Sequence, residues 1–298
     1  MYKPETVGEQ EFQLMGSPSF PRSIFVESAR IGACMEYAER NQIYGIAISP
    51  LNGFHLPDLS FLKDFPSIKS LTVLHSEMLD LSAVNELTCL SYLQLSGRPK
   101  QSVDIRNFPA LEELRVKWWP RLQFGSAIPS LRVLSVSGYR PYHKDLTDLP
   151  DLPLLENLVL IRSPLFTLCG IDRLRGLTAL EFSYLPKIVS ISPLGVFRDS
   201  LLEKLEFSHC PRITDHHQVK VISSLRRLAF NYCGQIASLR FLVDLPVLDS
   251  FSFVGTNVVD GDLGSCLKIR KVGFFDKRHY SHRNADFEAR IGLPMNTA

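Results

Sequence analysis

Several protein classes are excluded by what this sequence lacks. Its 33 Lys+Arg stand against 31 Asp+Glu for a formal charge of +2, so no excess of one sign draws the chain to nucleic acid or to an anionic membrane surface. No stretch approaches the roughly 18 uncharged apolar residues that a spanning helix needs. The segment Tyr2 to Gln13 is polar and acidic, without the basic stretch and apolar core of a secretory signal, so a cytoplasmic protein is expected. The six cysteines, at positions 34, 89, 169, 210, 233 and 266, form no CxxC pair and read as reduced, mostly buried thiols in a cytosol. With 17 Gly and 19 Pro in 298 residues, collagen-like and low-complexity chains are also excluded. No Gly-rich phosphate loop, GxSxG elbow or HExxH helix occurs, so the reading is of a non-enzyme with no cofactor.

What the chain has in excess is leucine, 44 residues of the 298. The leucines recur in an apolar-x-x-apolar-x-apolar unit, of which eleven copies align, beginning at Ile43, Ile68, Leu90, Leu111, Leu131, Leu155, Leu177, Leu202, Leu225, Leu248 and Ile269, with steps of 20 to 25 residues. In each copy the last two apolar positions alternate with a polar or small residue, the period of a short strand with one buried face. The remaining residues of each copy must carry the chain back to start a parallel neighbour. Several returns hold a second apolar set at helix-like spacing, such as Leu81-Val84-Leu87 and Leu239-Leu242-Leu245. Prolines at 66, 109, 129, 153 and 246 stop the outer segment before the next strand.

Over 43–275 this pattern resembles the leucine-rich repeat family, most closely its short class of 22-residue repeats. The resemblance implies an α/β repeat solenoid with a concave parallel β-sheet of about eleven strands and short helical or irregular convex segments. The family's Asn after the strand is replaced here by Ser76, Arg98, Trp119, Tyr139, Ser163, Leu185, Cys210, Cys233 and Thr256; a Cys there can donate a weaker hydrogen bond through its thiol. Around the repeats we expect an irregular segment over 1–27, a capping helix over 28–42 with Ser28 as N-cap, and a polar cap and tail over 276–298.

Residues just past each strand line up across neighbouring repeats at about 4.8 Å. That row reads His75, Gly97, Trp118, Gly138, Arg162, Tyr184, His209, Tyr232 and Gly255, with Trp119 and Tyr139 one step further along at the rim. Trp, Tyr and Arg dominate binding energy at protein interfaces. Both charge signs share the same face: Arg115 and Lys117 beside Trp118, and Glu181, Lys204, Glu206 and Arg227 near Tyr184 and His209. Mixed charge suits a folded protein partner better than a phosphate polymer, which favours one positive stripe. These side chains are the expected partner surface of a chain that is monomeric when unbound.

A second resemblance lies in the last fifth of the chain. The run from Gly255 to Leu263, followed by His279-Tyr280-Ser281-His282, is similar to the closing segment of bacterial cytosolic leucine-rich repeat proteins, some of them immunity proteins that cap a secreted toxin. It implies bacterial origin and an inhibitor-like binding role. Two alternatives stand beside it: a regulatory subunit similar to the phosphatase-binding member of the 22-residue class, and metal binding by the His279 and His282 cluster with Asp276.

Overall fold

A computed structural model describes residues 5–7, 10–17, 20–75, 79–97 and 99–288. Ser76, Arg98 and the expected tail beyond residue 288 lie outside the described residues, as do parts of the N-terminal segment. The chain forms two compact units, residues 1–136 with 150–154, and residues 137–149 with 155–298.

In the first unit β1 (Glu5–Val7) and β2 (Gln10–Phe12) form an antiparallel pair. Next, β3 (Leu14–Ser17) pairs antiparallel with β4 (Phe20–Phe25), and β4 runs parallel beside β5 (Gly45–Ile48). The repeat strands β6 (Ser70–Val73), β7 (Tyr92–Leu95) and β9 (Glu113–Lys117) continue in parallel register, and β11 (Val133–Ser137) adjoins β9. A separate short parallel pair joins β8 (Val103–Asp104) and β10 (Leu122–Gln123).

The N-terminal expectation is corrected here. Where described, the segment expected to be irregular is strand, and Ser23, Ile24, Phe25 and Val26 are buried. The contact with the first repeat is close: a Cβ on Gly45 would stand 2.4 Å from the backbone oxygen of Arg22, so only glycine lets β4 seat against β5. The capping helix is present as α1 (Ile31–Arg40), but its N-cap is Arg30. Ser28 instead opens a 3₁₀ turn, and its Oγ accepts a hydrogen bond from the backbone N–H of His55 at 2.7 Å.

The second unit carries one register through six strands and five pairings. Its strands are β12 (Asn157–Ile161), β13 (Ala179–Ser183), β14 (Lys204–Ser208), β15 (Arg227–Asn231), β16 (Ser250–Ser252) and β17 (Lys271–Gly273), each parallel to the next. The middle apolar position of the repeat therefore stacks as Leu158, Leu180, Leu205, Leu228, Phe251 and Val272. The last apolar position is Leu160 in β12 and from β13 onward a phenylalanine file, with Phe182 to Phe207 at 5.2 Å and Phe207 to Phe230 at 5.7 Å between ring centroids. All eleven aligned copies thus supply a strand, one per repeat.

Most of the outer returns carry short 3₁₀ segments rather than α-helices. An apolar residue every third position matches the 3.0-residue turn of a 3₁₀-helix. The bonds follow that spacing: Val84 N–H donates to Leu81 O and Leu87 N–H to Val84 O, and seven repeats later Leu242 N–H donates to Leu239 O and Leu245 N–H to Leu242 O. Side chains two residues upstream start several of these turns. Asp58, Asp80 and Asp104 accept from the N–H of Ser60, Ser82 and Arg106 at 2.8 to 3.0 Å, the Asx geometry that satisfies an otherwise orphaned donor.

Three residues at the inward turn position hydrogen-bond back to the sheet through their side chains. Thr256 Oγ1 donates to Phe230 O at 2.5 Å, Cys233 Sγ to Phe207 O at 3.5 Å and Cys210 Sγ to Phe182 O at 3.9 Å. Each ties its turn to the last inward residue of the preceding strand. The last repeat is closed by Tyr280, which packs edge-on against Phe253 and Phe274 while its hydroxyl accepts from Val258 N–H at 3.1 Å and donates to Thr256 O at 3.3 Å. α2 (Asn284–Glu288) follows and places Phe287 against Phe274.

Candidate functional site

Two of the expected surface residues are interior. Trp119 and Tyr139 are each 3% exposed, because they occupy the inward turn position that Leu185 and Cys210 fill in later repeats. Trp119 Nε1 donates to Gln101 O at 3.2 Å, and burial pushes the Tyr139 phenol up from its ordinary value. In the first unit Arg115 pairs with Glu113, Lys117 is exposed and Trp118 is half-buried. His75 of the same expected row is buried.

The second unit brings the remaining expected residues together in two adjoining groups. On the solvent face of the sheet, Lys204 Nζ lies 2.8 Å from Glu181 Oε1 and 3.4 Å from Glu206 Oε1, and Arg227 stands beside Lys204 in register. Cross-strand pairs of opposite charge of this kind are modest stabilisers when half-exposed. They leave the face close to neutral.

Beyond the strand ends runs a ladder. Gly138, Arg162, Tyr184, His209, Tyr232 and Gly255 all have left-handed backbone, with φ from 51° to 73°. The conformation lets each N–H make one further bond to the next repeat: Arg162 to Ser183 O, Tyr184 to Ser208 O, His209 to Asn231 O and Tyr232 to Val254 O, each at 2.8 Å. Glycine meets that requirement without strain at the two ends of the row. In the four middle repeats a bulky side chain is kept although an L-residue there costs about 1–2 kcal/mol.

These four side chains stack on one another. The Arg162 guanidinium lies 5.3 Å from the Tyr184 ring centroid, Tyr184 and His209 are 4.3 Å apart at 15°, and His209 and Tyr232 are 4.6 Å apart at 19°. Gly255 ends the ladder sterically, since a Cβ there would stand 2.4 Å from Cδ1 of Tyr232. Both tyrosines remain 44% exposed. Ring edges and hydroxyls face solvent while ring faces are occupied by neighbours.

The ladder forms one wall of a groove of about 770 Å³ contained in the second unit. Four cations line it, Arg140, Lys144, Arg162 and Lys187, and no carboxylate does. Among the described residues none of the four makes an ion pair; Lys144 Nζ donates to Pro141 O at 3.2 Å and Lys187 sits over the Phe166 ring at 5.2 Å. Pro164, Pro186 and Pro211 supply its apolar surface. Arg140 and Lys144 come from the segment 137–149, which Arg173 pins by donating to the carbonyls of Leu146, Thr147 and Leu149 at 3.0 to 3.2 Å.

Arg140, Lys144, Lys187 and the prolines were not among the residues read from sequence as a site. A signal was present: Arg162-Ser163-Pro164, Tyr184-Leu185-Pro186 and His209-Cys210-Pro211 repeat one pattern of turn residue, inward residue and proline. The terminal histidines are each tied elsewhere, His279 Nε2 against Val258 O at 2.9 Å and His282 Nδ1 against Ser281 Oγ at 2.8 Å. Among the described residues no three His, Cys, Asp or Glu side chains gather in metal-binding proximity. Nor, among them, is any helix long and apolar enough to cross a membrane.

No protein-family model matches the chain, and no curated protein matches it in sequence. Similarity is found among solved structures. The TLR13–ssRNA13 complex aligns with TM-score 0.52 at 17% identity, covering 77% of this chain and 35% of that one, so this chain spans about a third of its length. An internalin from Listeria monocytogenes aligns at 0.45 and 16% identity, over 78% of this chain and 80% of its own. A leucine-rich repeat protein from Leptospira interrogans aligns at 0.36 and 14%, over 84% and 81%. With one parallel strand per repeat, 3₁₀ returns, and a likeness above one half to the first of these structures, the chain has the leucine-rich repeat fold.

Proposed function

We propose that the chain is a non-enzymatic protein-binding scaffold that engages its partner through the second unit, with Tyr184, His209 and Tyr232 as anchors beside the Glu181, Lys204, Glu206 and Arg227 face. The observation that carries this reading is the ladder: four successive repeats hold a large side chain in left-handed backbone, half in water, where glycine would relieve the strain. Amphipathic rings in a fixed array lose little conformational entropy on binding and offer both apolar area and polar tips. Paired charges on the adjoining face supply register and orientation more than affinity. Trp118, Arg115 and Lys117 of the first unit remain candidate contacts. The finer form of this reading is an inhibitor or immunity protein whose partner is a toxin or enzyme held in a stoichiometric complex.

The test is affinity capture with immobilised wild type and with Tyr184→Gly/Tyr232→Gly, a variant that suits the backbone and removes the rings. A protein retained stoichiometrically by wild type and lost from the variant, with circular dichroism unchanged, is the expected result. The same protein retained by both overturns the assignment of the ladder. Turnover of the retained partner would instead make the chain an enzyme.

A further inference from the structure

Resting on the scaffold reading, and deepening it, we propose that the groove beside the ladder is the seat for an extended acidic peptide segment of the partner. Its charge is the first argument. Arg140, Lys144, Arg162 and Lys187 converge on one groove without a carboxylate among its lining residues, whereas the cations and anions of the neighbouring sheet face neutralise each other. Uncompensated like charges repel, and that repulsion is relieved by a bound anion.

Spacing is the second argument. Arg140, Arg162 and Lys187 follow three successive strands from different places in their turns, and at about 4.8 Å per strand the strand ends they follow run roughly 10 Å. An extended chain rises about 3.3 Å per residue, so alternate residues of one segment fall on the same side at about 6.6 Å. Two or three acidic side chains in a stretch of about five residues span the cations.

The third argument separates a peptide from a single-stranded nucleic acid, which also favours cations and rings. Bases bind by stacking on free ring faces. Here the faces of His209 are covered on both sides, by Tyr184 at 4.3 Å and Tyr232 at 4.6 Å, and Arg162 covers the other face of Tyr184. What the ladder offers outward is phenol hydroxyls and ring edges, which are donors and weakly positive, suited to carboxylates. The prolines at 164, 186 and 211 carry no N–H, so an occupant is held there by side chains, with no new strand pairing.

The probe is a fluorescein-labelled peptide of alternating glutamate and tyrosine, titrated with the full chain by fluorescence anisotropy. Saturable binding that weakens about tenfold or more in Arg140→Glu/Lys187→Glu, and in high salt, is expected. Lys220→Glu, an exposed cation outside the groove, controls for net charge and should leave binding unchanged. No saturation, an equal loss in the Lys220→Glu control, or tighter binding of an oligouridylate of the same length overturns the proposal. The two readings fail separately. A protein partner retained equally by wild type and by the double reversal removes the groove proposal and leaves the scaffold standing, whereas peptide binding with no retained protein supports the groove and removes the scaffold.

Discussion

Replacing Tyr184 by glycine should harm the fold less than replacing it by alanine, the reverse of the usual order in a strand or helix. The reason is the backbone, at φ 57°. Both substitutions forfeit the same contacts: the stack on His209 at 4.3 Å and the Arg162 guanidinium at 5.3 Å. These are worth about 0.5–1.5 kcal/mol for the ring pair and about 0.5–1 kcal/mol for a half-exposed cation–π contact. Alanine keeps the left-handed penalty and should lose about 1–2.5 kcal/mol in all. Glycine recovers about 1 kcal/mol of strain and should lose about 0–1.5 kcal/mol. Urea unfolding followed by far-ultraviolet circular dichroism resolves a difference of that size when the two variants share one slope. An alanine variant as stable as the glycine variant would refute the argument that the ladder is kept against its backbone preference. It would also return the stacked rings to an ordinary packing role.

Two further outcomes follow from buried polar groups. His216 is 2% exposed, packs edge-on to Phe230 at 4.7 Å, and among the described residues neither ring nitrogen has a hydrogen-bond partner; desolvation lowers its pKa from the ordinary 6.5 to about 4. The unfolded chain therefore binds a proton below about pH 6.5 that the folded chain refuses until about pH 4, so stability falls as pH drops through that window, by up to about 3 kcal/mol. His216→Leu should flatten the urea midpoint across that range, and an unchanged pH slope refutes the assignment. Thr256→Val removes the donor to Phe230 O and the acceptor that holds Cys233 N–H at 2.8 Å. It should cost about 1–3 kcal/mol while Thr256→Ser stays near wild type; equal stability of the two variants in the same assay counts against the bond.

The strands were legible because they carry a signal that needs no context: an apolar residue at every second position, bounded by a break, repeated at a narrow range of spacings. The returns were half legible. Leu81-Val84-Leu87 and Leu239-Leu242-Leu245 announce a packed outer turn, but a set spaced by three fits a 3₁₀ turn as well as one face of a helix, and only the return length, too short for several turns, decides between them. β4 was missed because Ser23-Ile24-Phe25-Val26 is buried on both sides and so does not alternate. The run of three apolar residues beside a glycine-started strand was its one available sign.

The site divided along a similar line. Trp119 and Tyr139 stand one step past the row, where the sequence suggests a rim, yet that position in the repeat is the one Leu185 and Cys210 occupy, and the company in a row tells more than the chemistry of one member. Arg162, Tyr184, His209 and Tyr232 stack as one row, an alignment the repeat spacing predicts, since a repeat fixes where each points. Arg140 and Lys144 have no such sign in the sequence, because they lie in a segment whose path depends on three carbonyls held by a distant Arg173.

That asymmetry bears on how such a surface changes. Residues from Gly138 to Tyr232 in the ladder are fixed by one backbone bond that five successive repeats make, so their side chains can be exchanged while their direction is retained, and glycine is an available retreat there. Arg140 and Lys144 have no such frame. Their positions rest on the pinning of 137–149, and Arg173→Ala should therefore weaken acidic-peptide binding without touching any lining residue. It leaves the four charges in the molecule and the ladder stacked, so a loss of binding there, with Tyr184 and Tyr232 intact, separates geometry from charge. Unchanged affinity in that variant would mean that the segment holds its course without the arginine, and that the groove owes its shape to the turn bonds alone.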